Sequence, residues 1–207
     1  MELSLPVSLV VVDDFLENAL ELRDLALGLD YPVPPPAETY YPGRNSANRV
    51  VIDAVDQAVA KILGERIKPS LGNAHGRFRI AMAGDRGRGG VHVDKCDWSG
   101  VLYMSRPEDC RGGTSFFRHK ATGTERAPIT HEELAAAGLR SNEELWDKLI
   151  RPDTNRPDRW EAVMTAPMRF NRLILFKPWL WHNAGLSFGD SVQNCRLVYL
   201  LFYSFDR

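Results

Sequence analysis

Two imidazoles, a carboxylate and a guanidinium are the residues of this chain whose types and spacing could do chemistry together. His92-Val93-Asp94 comes first, because residues two apart in a strand project from one face and can grip a single metal ion. Chance alone supplies a His-x-Asp in roughly one in three chains of this composition, so the pair needs support. His182 supplies it, following the apolar run Leu173-Ile174-Leu175-Phe176 within Trp179-Leu180-Trp181-His182-Asn183. Two imidazoles and one carboxylate on one side of a metal leave the other side open, which suits non-haem Fe(II). Zinc suits the same trio. Arg196, in the last long apolar run, favours iron: a buried guanidinium is costly unless it meets an anion, and its fork matches a carboxylate two oxygens at a time. A keto-acid co-substrate needs such an anchor.

The elements that must position these groups read as α+β. The β-branched run Val7 to Val12 predicts a buried strand, and Asp14 is placed to cap a helix carrying Phe15, Ala19, Leu22 and Ala26 on one face. Pro32, Pro34, Pro35 and Pro36 impose an extended connector that runs on through the turn-like Tyr41-Pro42-Gly43. Val51, Val55, Val59, Ile62 and Leu63 then fall at helical spacing, with Gly64 as the stop. From about residue 76 the period changes to two, with Phe78, Ile80 and Met82 alternating against Arg77, Arg79 and Ala81. Strands are expected near 77–82, 91–94, 98–104, 114–118, 160–164, 171–176 and 194–204, which implies a barrel or sandwich. Between the fourth and fifth lies a helical insert, residues 118–158. Thr130-His131-Glu132-Glu133 and Ser141-Asn142-Glu143-Glu144 both match the capping box there, and Arg151-Pro152 closes the second helix.

In this order and spacing the residues resemble the Fe(II)/2-oxoglutarate-dependent oxygenases, in particular their prolyl-hydroxylase-like branch. The resemblance runs from about 76 to 204. It rests on the strand Arg77 to Met82, the His92-x-Asp94 pair, Val101-Leu102-Tyr103-Met104-Ser105, Gly112-Gly113-Thr114-Ser115-Phe116-Phe117, and Asn171-Arg172-Leu173-Ile174-Leu175-Phe176 leading to His182 and Arg196. It implies a double-stranded β-helix, the jelly-roll or cupin-like sandwich. The whole chain, 1–207, would be one oxygenase domain, with an N-terminal strand and supporting helices over 1–75 and the jelly-roll core over 76–205. It also implies Fe(II) held by His92, Asp94 and His182 as the catalytic metal centre, and 2-oxoglutarate as a co-substrate held by the metal and Arg196. The activity implied is decarboxylation of 2-oxoglutarate coupled to hydroxylation of a C–H bond. Val198 stands where many relatives carry a serine that helps hold the co-substrate carboxylate, so another hydroxyl must substitute: Tyr103 first, Thr114 second. The resemblance carries no motif in the first 75 residues. A halogenase of the same superfamily is disfavoured because it needs a vacancy where this chain has Asp94.

The insert is either a solvent-exposed decoration or a lid over the open metal face, and the lid is the favoured reading because such loops commonly admit substrate. Arg118 would then either sit at the cavity mouth, able to meet an acidic group of the substrate, or be a solvated strand-end arginine. Gly84-Asp85-Arg86-Gly87-Arg88-Gly89-Gly90 opens a strand and not a helix, so it reads as a mobile hairpin at the rim of the site and not as a phosphate cradle. Cys96 continues the His92 and Asp94 alternation but reads as a buried thiol. His75, His119 and His131 lack partners at ligand spacing and are expected at the surface or at helix caps. Trp98, Trp179 and Trp181 are expected mostly in the core, with Trp181 pointing away from the metal.

Composition narrows the partners. The 207 residues are 44% hydrophobic, 26% charged and 10% aromatic, an ordinary globular balance that excludes disordered, collagenous and disulfide-scaffold classes. With 26 basic and 27 acidic residues the net charge is −1, so no global field draws the chain to nucleic acid or to an anionic membrane. Cys96, Cys110 and Cys195 lie far apart with no Cys-x-x-Cys, as in a reducing compartment. Leu3 to Val12 is apolar, but no Lys or Arg precedes it and Asp13 and Asp14 follow, which argues against a secretion signal and for a cytoplasmic protein. The substrate is therefore expected to be a small molecule, an amino acid or a peptide side chain. Two rivals remain: a non-catalytic cupin-like binding module of the same fold, which would not turn over 2-oxoglutarate, and a nucleic-acid binder acting through Arg77 to Arg88, whose affinity would depend steeply on salt.

Overall fold

The computed structural model describes residues 7–35 and 39–206. Leu3 to Pro6 of the N-terminal apolar run and Pro36 of the proline connector lie outside the described residues. In chain order the elements are β1 (Leu9–Val12), α1 (Ala19–Leu27), β2 (Arg44–Asn45), α2 (Asp53–Leu63), β3 (Ile67–Pro69), β4 (Phe78–Ala81), β5 (Trp98–Tyr103) and β6 (Gly113–His119). Helices α3 (His131–Ala136), α4 (Asn142–Leu145) and α5 (Arg151–Asp153) follow, then β7 (Trp160–Pro167), β8 (Leu173–Phe176), β9 (His182–Asn183) and β10 (Arg196–Phe205). No helix among the described residues is long and apolar enough to cross a membrane.

The result is a mixed α/β architecture of two antiparallel sheets. The larger has seven strands in the order β1-β8-β5-β10-β4-β2, with β3 also paired to β10; the smaller has three, β7-β6-β9. Alternation along β10 sorts the layers. Leu197, Tyr199, Leu201 and Tyr203 pack with Leu22 and Ala26 of α1 and Val55 and Val59 of α2, while Val198 and Leu200 face Phe116 and Ala166 of the smaller sheet. One face of the large sheet is thus sealed by helices, and the other meets the small sheet.

The periodic elements follow the sequence closely. In α2, Val55 and Val59 are buried, and Gly64 ends the helix in the left-handed conformation at φ 65°, which glycine adopts without a Cβ penalty. Thr130 and Ser141 accept from the backbone N–H groups of Glu133 and Glu144. The two glutamates reach back to the N–H groups of Ile129 and Arg140, one residue before each cap.

Several expectations need correction. The first helix begins at Ala19, with Asn18 at its N-cap and no side-chain cap. Asp14 instead takes a left-handed turn and pairs with Arg169, and Phe15 and Leu16 hang from Asn171. Pro152 does not close the second insert helix. Trp146–Ile150 forms a π-helical turn between α4 and α5, and the helical path runs on to Asp153; a wider turn is one way to accommodate a residue with no N–H to donate. No regular strand covers 91–94, where His92 makes only an isolated bridge to His182. The first 75 residues do more than support the sheet with helices, since β1, β2 and β3 are all strands of it.

Candidate metal centre

His92, Asp94 and His182 come together from two non-adjacent segments, and their ligand atoms all lie within 4.8 Å of one another. The loop bearing His92 and the short β9 bond reciprocally, His92 N–H to the His182 carbonyl at 2.9 Å and His182 N–H to the His92 carbonyl at 3.1 Å. Asp94 N–H donates to the Pro178 carbonyl at 3.1 Å. Since no strand runs through 91–94, these long-range bonds and not strand alternation aim the pair. On its far side β9 is fixed to β6, His182 opposite Phe116.

The donor set suits a divalent metal. His92 Nδ1 lies 2.8 Å from the Gly90 carbonyl and His182 Nδ1 2.7 Å from the Leu180 carbonyl. Each Nδ1 therefore carries the proton, and each Nε2 lone pair is left to bind. Those Nε2 atoms lie 3.6 Å and 3.2 Å from the Asp94 carboxylate oxygens. Ser99 Oγ donates to Asp94 Oδ2 at 2.6 Å. Burial, with His182 adding to it, lowers the His92 pKa to about 4, so its imidazole is neutral at physiological pH. Burial alone would raise Asp94, but His182 and His92, when protonated, and the Ser99 hydroxyl outweigh it and hold the carboxyl well below its usual range. Two buried imidazoles and a partly buried carboxylate with an open side match the chemistry of a facial two-histidine, one-carboxylate iron site.

These groups line a cavity of about 380 Å³ between the sheets, which also takes in Thr114 and Arg196. Arg196 is 3% exposed. Among the described residues its guanidinium has neither a hydrogen-bond partner nor a carboxylate, and burial lowers its pKa. Thr114 faces the cavity while Tyr103 stands behind it: the tyrosine hydroxyl donates to Thr114 Oγ1 and accepts from Thr114 N–H, both at 2.9 Å. Tyr103 thereby joins the large sheet to the small one.

Arg118 is the solvated strand-end arginine and not a residue of the cavity mouth. It is absent from the cavity lining and instead pairs with Glu125 at 2.6 Å and Glu161 at 3.3 Å, with its side chain 43% exposed. Nor are His75 and His119 surface groups, as both are buried. Phe202 N–H donates to His75 Nδ1, while the His119 nitrogens meet Thr122 and Asp153 beneath Trp160. Trp98 and Trp181 are core residues, whereas Trp179 lines a second cleft. Cys96 turns its thiol to the Trp98 carbonyl and Ser99. The 84–90 hairpin is fastened, with Arg88 and Gly89 bonded to the Thr39 and Tyr40 carbonyls. A Cβ at Gly90 would collide with the carbonyl oxygen of Thr154.

Tyr41, Ser99 and Trp146 also line the cavity and gave no site signal in the sequence, whereas Arg79, like Arg172, is an alternative to Arg196 as the anchor. Tyr41 lies on the His92 ring at 4.5 Å between centroids. Arg79 stands out as a cation in a short strand of apolar residues. The second cleft, about 760 Å³, shares Asp94 and Trp146 with the first and is walled by insert residues including Leu145 and Ile150.

Residues 5–202 match the model of DUF6445, a family of unknown function. No curated protein matches the chain. Among solved structures, SnoN, a non-heme alpha-ketoglutarate-dependent epimerase from nogalamycin biosynthesis, is similar at TM-score 0.55 and 14% identity, over 96% of this chain and 78% of that one. HygX from Streptomyces hygroscopicus, solved with nickel, 2-oxoglutarate and hygromycin B bound, is similar at TM-score 0.51 and 12% identity, over 96% of this chain and 83% of that one. At these identities the likeness shows a shared fold.

Proposed function

This chain belongs to the DUF6445 family, and we propose that it is a non-haem Fe(II)- and 2-oxoglutarate-dependent dioxygenase that hydroxylates a C–H bond of a small molecule or an amino-acid side chain. The two antiparallel sheets are then the halves of a double-stranded β-helix, forming with the N-terminal elements one oxygenase domain. Three free cysteines suit a cytoplasmic setting.

The observation that carries the reading is Arg196. A guanidinium so deeply buried, with no carboxylate of the protein beside it, is stable only if an anion completes it, and it shares its cavity with the His92-Asp94-His182 set. Arg196 would take the distal carboxylate of 2-oxoglutarate as a paired hydrogen bond, and Thr114, oriented by Tyr103, would offer its hydroxyl to the same group. His92 Nε2, His182 Nε2 and Asp94 would hold Fe(II), which would supply the activation of dioxygen, the oxidant, with 2-oxoglutarate as the co-reductant that is decarboxylated to succinate as the C–H bond is hydroxylated. The Gly90 and Leu180 carbonyls keep both imidazoles in the ligating tautomer. Tyr41 and Phe176, packed on the two imidazoles, limit the entry of water. The substrate would approach through the second cleft, which meets the metal site at Asp94.

The test is to incubate the protein with Fe(II), 2-oxoglutarate and oxygen and follow succinate and carbon dioxide, then to search candidate metabolite and peptide pools by mass spectrometry for added oxygen. Succinate release that requires Fe(II) and oxygen is expected. Its absence in protein that binds both metal and 2-oxoglutarate would leave a binding module of the same fold.

A further inference from the structure

The metal cavity contains a second guanidinium. Arg79 of β4 lies opposite Val198 of β10, and Arg196 lies opposite Ala81. Directly opposed residues of an antiparallel pair share a face, so both arginines project on the face that carries Val198 towards the small sheet. They are diagonal neighbours, with roughly 7–8 Å between such positions. Arg79 donates its Nε to Asn45 Oδ1 at 2.7 Å, while its two terminal nitrogens have no hydrogen-bond partner among the described residues. Its guanidinium stands 5.3 Å from the centre of the Tyr41 ring, the ring that lies on His92. The plane of Arg79 is therefore set from the metal side of the cavity.

Two cations confined with the single carboxylate of Asp94 repel one another at low dielectric. Burial, the larger effect, and the nearby Arg196 together lower the Arg79 pKa to about 10, which still leaves it charged at neutral pH. A divalent metal on Asp94 would add to the excess of positive charge, so the cavity is built to receive more than one negative charge. The two guanidinia also have different neighbours: Asp94 and Tyr41 act on Arg79, whereas Tyr103 and Cys195 act on Arg196. One marks the metal end and the other the end near Tyr103.

Resting on the co-substrate reading above, we infer that Arg79 is a second anion anchor that holds the metal-proximal carboxylate of the 2-oxo acid, so that the cavity grips a dicarboxylate at both ends. Asn45 and Tyr41 act as its positioning residues, fixing the Nε edge and the ring-facing side and leaving the terminal nitrogens for the ligand.

The experiment compares two acids, 2-oxoglutarate and pyruvate, which share the metal-proximal 2-oxo acid and differ in the distal carboxylate. Affinities are measured by calorimetry on full-length protein loaded with Mn(II). Arg79→Gln should weaken both acids by about 10- to 100-fold, the scale of a charged hydrogen bond. Arg196→Gln should weaken 2-oxoglutarate alone. Mn(II) affinity in Arg79→Gln should equal or slightly exceed the parent value, since a neighbouring positive charge has gone; this also reports folding. If that variant fails to bind Mn(II), Arg79→Lys, which keeps the charge and loses the fork, carries the test and should weaken both acids together. Weakening of 2-oxoglutarate without pyruvate would move Arg79 to the distal end, and no weakening of either would remove it from the co-substrate; both results overturn the inference. Failure of the loaded parent protein to bind either acid would instead sink the co-substrate reading on which it rests.

Discussion

Two hollows meet at Asp94, and they are built differently. The inner one is walled by sheet: Arg79, Arg196 and Thr114 come from β4, β10 and β6, and strand register decides where each side chain points. The outer one is walled by the insert, with Trp146, Leu145 and Ile150 on short helical turns and Trp179 on the segment leading to His182. Register holds a side chain through a ladder of backbone bonds, whereas a short helix depends on what its apolar side packs against. Arg79, Arg196, Thr114 and His182 sit on the first kind of wall, with His92 and Asp94 on a loop bonded to it, and groups that would choose a substrate sit on the second.

The two walls are nonetheless coupled. Leu134, Leu139, Leu145 and Ile150 of the insert share a core with Val91, Trp160 and Trp181, and Val91 and Trp181 immediately precede the two histidines. Thr154 adds two bonds to the same segment, accepting from Gly90 N–H at 2.8 Å and from Val91 N–H at 2.9 Å. The insert therefore does not hang from the sheet as a separable lid, and removing it would uncover Trp160 and Trp181.

The largest expected effect is at the shared residue. Asp94→Ala should reduce Mn(II) or Fe(II) affinity by more than about 100-fold, beyond the 10- to 100-fold typical of outer partners, and stop 2-oxoglutarate consumption. The far-ultraviolet circular dichroism should be unchanged. Metal affinity within tenfold of the parent would dismantle the metal centre and with it the division into two hollows.

Next comes the support behind that residue. Ser99→Ala removes the 2.6 Å bond to Asp94 Oδ2 and leaves one carboxylate oxygen without its orienting donor. Metal affinity should fall about tenfold, read by Mn(II) titration. An unchanged value would mean that the Pro178 bond and the histidines orient Asp94 without Ser99.

Trp146→Ala addresses the wall common to both hollows. Its ring stacks on Tyr40 at 6.1 Å, and truncation should lower stability by about 1–3 kcal/mol, measured by denaturant unfolding. Mn(II) and 2-oxoglutarate affinities should stay within about threefold of the parent, because none of the proposed ligands lies on the insert. A tenfold loss of 2-oxoglutarate affinity would make Trp146 part of the co-substrate site and erase the contrast.

How far each wall was legible in the sequence follows from the same difference. Local pattern located α2 by apolar residues three to four apart, and β5, β8 and β10 as short apolar runs buried on both faces. The ligand types and Arg196 were readable because a charged or imidazole side chain inside an apolar run needs an explanation. The segment 91–94 was misread because its geometry comes from bonds to His182 and Pro178, about 90 residues away, which no local pattern records. Arg79 alternates correctly against Phe78 and Ile80, yet alternation assigns a face without saying whether water or a cavity lies on it. Tyr41 sits in a proline-rich connector with no period at all, and only the tertiary fold lays it on His92. His75 and His119 were misplaced for a related reason, since their partners Phe202, Asp153 and Trp160 lie far away in sequence.

Arg118 gives the smallest expected effect and tests that lesson most directly. Its position just after the Gly112 to Phe117 motif suggested a place at the mouth of the site, but the pairing of β6 with β7 slips between Phe116 and Phe117. Beyond the slip Phe117 and His119 pack towards the insert core and Trp160, while Arg118 meets two glutamates at the surface. Exposed ion pairs contribute little because water screens them and two long side chains must be ordered to form them. Arg118→Ala should therefore leave the melting temperature within about 2 °C of the parent, with any difference shrinking as salt is added. Metal affinity, 2-oxoglutarate affinity and succinate release should all be unchanged. A fall in turnover at constant metal and 2-oxoglutarate affinity would instead return Arg118 to the mouth of the site, as a residue that releases Glu125 and Glu161 when an acidic substrate arrives.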